Sequence, residues 1–286
     1  MVRNKKLFFI GIIVIGVLVI VGYISAYALW LDEPVLLQHN VEMEMTLRED
    51  QQTIERDFEL YYITNINDNR EVRYVTLPEY PDIYLQSHPN YFTDPKQDAG
   101  RYSLRSIRLV LTIDRPENFR QDGMKITKIV MHFSDGSQLE REIGEVMIMF
   151  GEEKESITSM GSSSSSLQVR THEAYLTKNI ELVRIDLDQF DHPEEFFDVE
   201  LNGRKYDKIE GEKIDAGKRI RMRTVTEQPE KITDRLSHYS VEPKIHFLND
   251  DGEEDFIKLY PLVYRPNEIG FLEILEYLRE RGSSNE

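Results

Sequence analysis

From Val41 to Leu47 apolar and polar residues alternate one for one: Val41, Met43, Met45 and Leu47 fall on one side, Glu42, Glu44 and Thr46 on the other. That two-residue period predicts a half-buried β-strand. It returns in Phe58-Leu60-Tyr62, Val72-Tyr74, Ile107-Leu109-Leu111-Ile113, Ile129-Met131-Phe133 and Ile143 to Met149. Short antiparallel strands with one wet face must stack their dry faces, so residues 32–150 are expected to form a β-sandwich. The same logic applied to residues 169–286 predicts a second sandwich. Its hairpin turns at Asn202-Gly203, and further strands are expected around Ile220 and Lys244 to Phe247. The expected fold class is mainly β, with two antiparallel, Ig-like sandwich domains.

Two segments depart from this period. From Leu7 to Trp30 the chain is apolar and uncharged for 24 residues, a helical length of roughly 36 Å against the ~30 Å hydrocarbon core of a bilayer. At the far end Phe271, Ile274, Leu275 and Leu278 repeat at i, i+3, i+4 and i+7, which predicts an amphipathic helix begun near Pro266-Asn267 and stopped at Gly282. Packing against the second sandwich is the expectation for that helix, with docking to another protein as its alternative.

The apolar run is expected to be a transmembrane signal anchor over residues 7–31. Arg3, Lys5 and Lys6 precede it and Asp32 and Glu33 follow, so residues 1–6 are expected in the cytoplasm and the rest outside it, in a single-pass cell-membrane protein. Ala26-Tyr27-Ala28 has the small-x-small form of a signal-peptide cleavage site, with cleavage after Ala28 as the competing outcome; the length of the run favours retention.

Charge and composition narrow the setting. All 52 acids follow the run whereas three of the 35 bases precede it, leaving 52 acids against 32 bases, a net charge of −20. Such a surface repels phosphate backbones and argues against nucleic-acid partners. With no cysteine there is no disulfide and no thiolate metal site, and none of the twelve asparagines heads an Asn-x-Ser/Thr acceptor. These absences lean towards a bacterial cell envelope. Gly161 and Ser162 to Ser166, after the polar stretch Gly151 to Ser159, read as a serine-rich linker over residues 151–168.

Chemical motifs are sparse. No G-x-S-x-G elbow, S-x-x-K, Walker loop or dinucleotide fingerprint occurs, so no catalytic residue, cofactor site or metal site is assigned and the chain is expected not to be an enzyme. His132 and His246 occupy matching places in two hairpin-like segments, Ile129 to Gly136 and Pro243 to Gly252, but neither has metal-ligand spacing beside it. Asn65, Asn67 and Asn69 imitate the start of a calcium loop until Arg70 and Thr76 stand where glycine and glutamate are required. The acidic turn from Asp250 to Asp255 is the better weak-calcium candidate. Between Glu79 and Arg101 no period is sustained, and Tyr80, Tyr84, Tyr91 and Phe92 on a proline-stiffened loop are the candidate binding residues. The function these features imply is a non-catalytic interaction or structural module whose partner is another envelope protein. A cation- or glycan-binding ectodomain is the alternative.

Overall fold

The computed structural model describes residues 10, 12–19, 29–47, 53–87, 97–114, 123–152, 157–164, 168–187 and 193–283. The first half of the chain holds β1 (Val35–Leu36), β2 (Gln38–Leu47), β3 (Thr53–Asn65), β4 (Val72–Leu77), β5 (Tyr80–Ser87), β6 (Gln97–Ala99), β7 (Tyr102–Asp114), β8 (Met124–Phe133) and β9 (Gln138–Glu152). Their hydrogen-bonded order is β1-β3-β7-β5-β4-β8-β9-β2, with β6 added on β7. β1 pairs antiparallel with β3, and one residue later β2 pairs parallel with β9. A single extended segment therefore begins on one sheet and ends on the other. In the letters of an immunoglobulin sandwich this is A-B-E-D facing C-F-G-A′, with strand D hydrogen-bonded to both E and C. The alternating positions fill its core: Met43, Phe58, Leu60, Leu109, Leu111, Met131 and Ile148 are all buried.

Gly144 shows how register is enforced. Buried residues of β9 run Leu139 and Ile143, then switch parity to Val146 and Ile148. The pairing with β8 shifts between Ile126 and Lys128, so β9 is bulged there. Gly144 sits at φ +95, and a Cβ on it would meet the His39 carbonyl oxygen at 2.6 Å. Only glycine lets β2 approach β9 at that point.

The second half contains β10 (Ile157–Ser164), β11 (Val169–Leu176), β12 (Ile180–Asp186), β13 (Phe197–Leu201), β14 (Arg204–Lys205), β15 (Lys213–Ile214), β16 (Arg219–Thr226), β17 (Ser237–Val241), β18 (Lys244–Leu248), β19 (Glu254–Lys258) and β20 (Leu262–Tyr264). One sheet has the order β10-β11-β16-β13-β14 and the other β15-β12-β18-β19. With the two-residue strands β14 and β15 as additions at the sheet ends, these are again A-B-E-D and C-F-G, closed over a core that includes Leu182, Val199, Ile220 and Phe247. Asn202 and Gly203, at φ +51 and +82, make the tight turn between β13 and β14.

Three expectations need correction. The serine-rich linker is shorter than residues 151–168: β9 extends to Glu152, and Ile157–Ser164 is a strand paired with β11, Ser162 lying opposite His172. An outer strand is held by its backbone ladder, and serine forms that ladder as well as valine does. The segment Glu79 to Arg101 is not one loop, because Tyr80–Ser87 is a strand paired with β4 and β7 and Gln97–Ala99 pairs with β7. The C-terminal helix, third, packs chiefly on the first sandwich. This helix, α3 (Phe271–Ser283), joins α2 (Ile232–Arg235) in a separate core made by Leu37, Tyr61, Ile63, Tyr102 and Leu104 of the first sandwich with Ile232, Leu236, Ile274 and Tyr277. Phe271 stacks on Tyr102, ring centroids 5.8 Å apart. Glu273 accepts from the Gly270 amide at 2.6 Å, which sets the start of the helix. A helical period identifies a buried face without naming what buries it.

At the amino-terminal end the apolar run falls mostly on residues outside those described. Residues 12–19 form helix α1. Ile12, Val14, Ile15 and Leu18, on different sides of it, are 51–65% exposed. Among the described residues no helix is long and apolar enough to cross a membrane.

Candidate interaction site between the two sandwiches

The two sandwiches are joined by sheet pairing. β17 lies parallel to β2, with His238 opposite His39, and β20 pairs with β17, so the large sheet continues from the first half into the second. Glu42 and Glu44 of β2, which alternate with the core residues, point away from the first core and meet lysines of the second half. Lys244 Nζ is 3.4 Å from Glu42, and Lys258 pairs with Glu44. Arg56 of β3 pairs with Glu242, just after β17, at 3.4 Å.

Beside this seam lies a cleft of about 610 Å³. One wall is β3 from Glu55 to Glu59, another is Pro261, Val263 and Arg265 around β20, and β2 and β17 contribute Glu42, His238 and Ser240. Glu59 accepts from Arg265 at 2.8 Å and pairs with Arg108 at 3.3 Å. Glu55 and Asp57, both exposed, have no ion pair with a described residue. Five acids and the three arginines Arg56, Arg108 and Arg265 line the cleft, and its surplus of negative charge lies at Glu55 and Asp57.

Burial governs the electrostatics of the seam. His39 and His238 are fully buried with their rings 5.6 Å apart. His39 Nδ1–H donates to the Leu37 carbonyl and Nε2 accepts from the Tyr61 amide, both at 3.0 Å, which fixes a neutral tautomer. Burial, reinforced by His238, brings its pKa down to about 3. His238 Nδ1–H donates to the Tyr264 carbonyl; burial and the nearby Arg265 lower it to about 3 as well. Burial pushes the Glu42 carboxyl up against the pull of Lys244. Glu242 is raised to about 7 by burial, with Arg56 opposing and the Glu42 charge adding to the rise.

The residues singled out from sequence do not gather here. Tyr80 begins β5, packs against the first core, and its hydroxyl accepts from the Lys125 amide at 3.0 Å. Tyr84 lies on β5 opposite Thr76. Tyr91 and Phe92 fall outside the described residues. His132 stacks on Tyr74, 4.2 Å between centroids, while His246 Nδ1 donates to Glu254 at 3.0 Å. Asp68 accepts from Arg70 and Thr64; burial pushes its carboxyl up, but these hydrogen bonds prevail and hold it below the usual carboxylate range. In the acidic turn, Asn249 Oδ1 accepts from the Asp251 and Glu253 amides, and Glu254 pairs with Arg184. Among the described residues no three histidine, aspartate or glutamate side chains converge in a form that could hold a metal ion. The cleft itself was not visible in the sequence, since its walls come from residues near 55 and near 263. The one local sign was Glu42 and Glu44 on the polar side of a strand whose other side carries Val41, Met43 and Met45.

No family model matches the chain, and no curated protein matches it. Solved structures similar to it include a protein of unknown function from Porphyromonas gingivalis W83, at 12% identity over 80% of this chain and 99% of that one, with a TM-score of 0.20. Fibronectin(III)-like modules of Clostridium thermocellum CbhA match at 9% identity over 79% and 92%, with a TM-score of 0.21. The sialic acid binding region of a Streptococcus sanguinis SK1 adhesin matches at 9% identity over 82% and 77%, with a TM-score of 0.18. At such TM-scores these likenesses carry no argument. The fold assignment rests on the strand orders.

Proposed function

We propose that the protein is a non-catalytic interaction module of a bacterial cell envelope, held in the membrane by residues 7–31 and presenting its two sandwiches outside the cytoplasm as one joined unit. The observation that carries the interaction reading is the seam: two immunoglobulin-type sandwiches share sheet pairing through β2 and β17 and frame an acidic cleft between them. The anchor is supported by the helix at residues 12–19, whose apolar side chains are exposed on all sides. A helix apolar all round needs a cover, and a bilayer supplies one. Protease treatment of intact cells, with an outer membrane removed where one exists, tests the topology. Digestion of the second sandwich without lysis is the expected result; protection until lysis would overturn the orientation.

A further inference from the structure

The cleft exposes an unpaired strand edge. In an antiparallel strand the N–H and C=O of one residue point the same way, and successive residues alternate. The Tyr61 carbonyl accepts from the Leu37 amide at 3.0 Å and the Tyr61 amide donates to His39 Nε2 at 3.0 Å, so Tyr61 points its backbone away from β7. The β3–β7 register runs unbroken from Thr53 to Asn65, which gives Glu59, Asp57 and Glu55 the same outward direction. β1 covers this edge only at Tyr62 and Ile63, and the His39 ring takes the next amide. Beyond that point no strand among the described residues pairs with β3 on this side, and Glu55 to Glu59 line the cleft. Across it stands β20, which among the described residues pairs with β17 alone.

Such an edge is a template for strand addition, in which main-chain hydrogen bonds supply affinity and alternate side chains supply specificity. Five residues of added strand would run about 17 Å along Glu55 to Glu59. The Glu55, Asp57 and Glu59 side chains stand together on one face of β3 beside that edge; Glu59 is paired with Arg108 and Arg265 and Arg56 with Glu242, which leaves Glu55 and Asp57 as the carboxylates without an ion pair to a described residue. The chain's own net charge of −17 disfavours a second copy as the guest. We propose that the β3 edge between Glu55 and Glu59 receives an extended segment of a partner polypeptide carrying lysine or arginine at alternate positions. This deepens the interaction-module reading and rests on it.

The test is fluorescence anisotropy of a labelled heptapeptide, acetyl-Lys-Val-Lys-Val-Lys-Val-Lys-amide, titrated with the full chain in detergent. Three comparisons accompany it: the same peptide N-methylated at alternate amides, its Glu-Val counterpart, and the Asp57→Pro variant. Proline at position 57 removes an outward N–H that the β3–β7 ladder does not use. Saturable binding of the Lys-Val peptide is expected, weakened at least tenfold by N-methylation or by Asp57→Pro, with no binding of the Glu-Val peptide. Circular dichroism checks that the variant folds, and the N-methylated peptide on the unaltered protein decides the matter if it does not. Equal binding of methylated and unmethylated peptides, or no binding at 1 mM peptide, would overturn strand addition. If crosslinking in native membranes recovers the same partner from the unaltered protein and from Asp57→Pro, the module reading stands and the β3 edge is the wrong surface.

Discussion

Replacing Glu242 by glutamine removes one charge from the seam while keeping the side chain's shape. Glu242 is 7% exposed and titrates near 7 in the folded protein, against 4.5 for an unperturbed glutamate. At about 1.36 kcal/mol per pKa unit the difference amounts to roughly 3 kcal/mol. The folded state binds this proton more tightly than the unfolded one, so the carboxyl costs nothing below pH 4.5. Stability falls as pH rises from 4.5 to 7 and is level above that window. Glutamine never ionises. Glu242→Gln should therefore match the unaltered protein at pH 4.5 and exceed it by about 3 kcal/mol at pH 8, the pull of Arg56 being already contained in that shift. His39 and His238 titrate with the opposite sign, but they are present in both proteins and cancel in the difference. Urea unfolding of the full chain in detergent, followed by circular dichroism at steps from pH 4.5 to 8, measures it. A gap independent of pH would refute the reasoning, because it means that the Arg56 pair cancels the effect of burial, and a variant less stable at pH 8 would refute it too, because it means that the pair outweighs burial.

The buried histidines give a trend of opposite sign. Because their pKa values fall from 6.5 to about 3, the unfolded chain binds protons that the folded one excludes, and stability drops as pH falls from 6.5 towards 3. His238→Phe should flatten that decline, at a cost of about 1 kcal/mol near neutrality for its lost bond to the Tyr264 carbonyl, and urea midpoints at pH 4 and pH 7 read both effects. Ile274→Ala, at a position with no exposed surface, should cost about 2–5 kcal/mol and make α3 the first segment to exchange amide hydrogens; unchanged protection of α3 would mean that it is held elsewhere. Gly144→Ala forces a Cβ against the His39 carbonyl at positive φ and should cost on the order of 1–3 kcal/mol or more, with lost protection in β2 and β9. An unchanged melting temperature would mean the bulge relaxes freely.

Much of the β architecture was readable because period-two patterning reports a buried face directly. Ile129 to Gly136 and Pro243 to Gly252, matched in sequence, cover the second half of β8 with its turn to β9 and β18 with its turn to β19, the F–G hairpins of the two sandwiches. What patterning could not show was pairing between segments distant in the chain. Serines at 162–164 carry no apolar signal, yet their backbone completes a sheet. The strand at Tyr80–Ser87 was hidden by Pro81 and by the register shift between Thr76 and Leu77. The stripe of α3 was recognised, but its partner lies some 170 residues earlier at Tyr102. The cleft arises only after β17 docks beside β2, and the open strand edge on it follows from β1 covering β3 no further than Tyr62.

That docking is the centre of the account, because a serine-rich linker alone would leave the two sandwiches free to reorient. The chain has no cysteine, so Arg73→Cys on β4 and Lys218→Cys beside β16, both exposed, would carry the only two spin labels. A pulsed dipolar measurement on the full chain in lipid nanodiscs should give one narrow distance distribution, which broadens when Gly144→Ala disturbs β2. A broad distribution in the otherwise unaltered protein would contradict the joined arrangement and the cleft that depends on it.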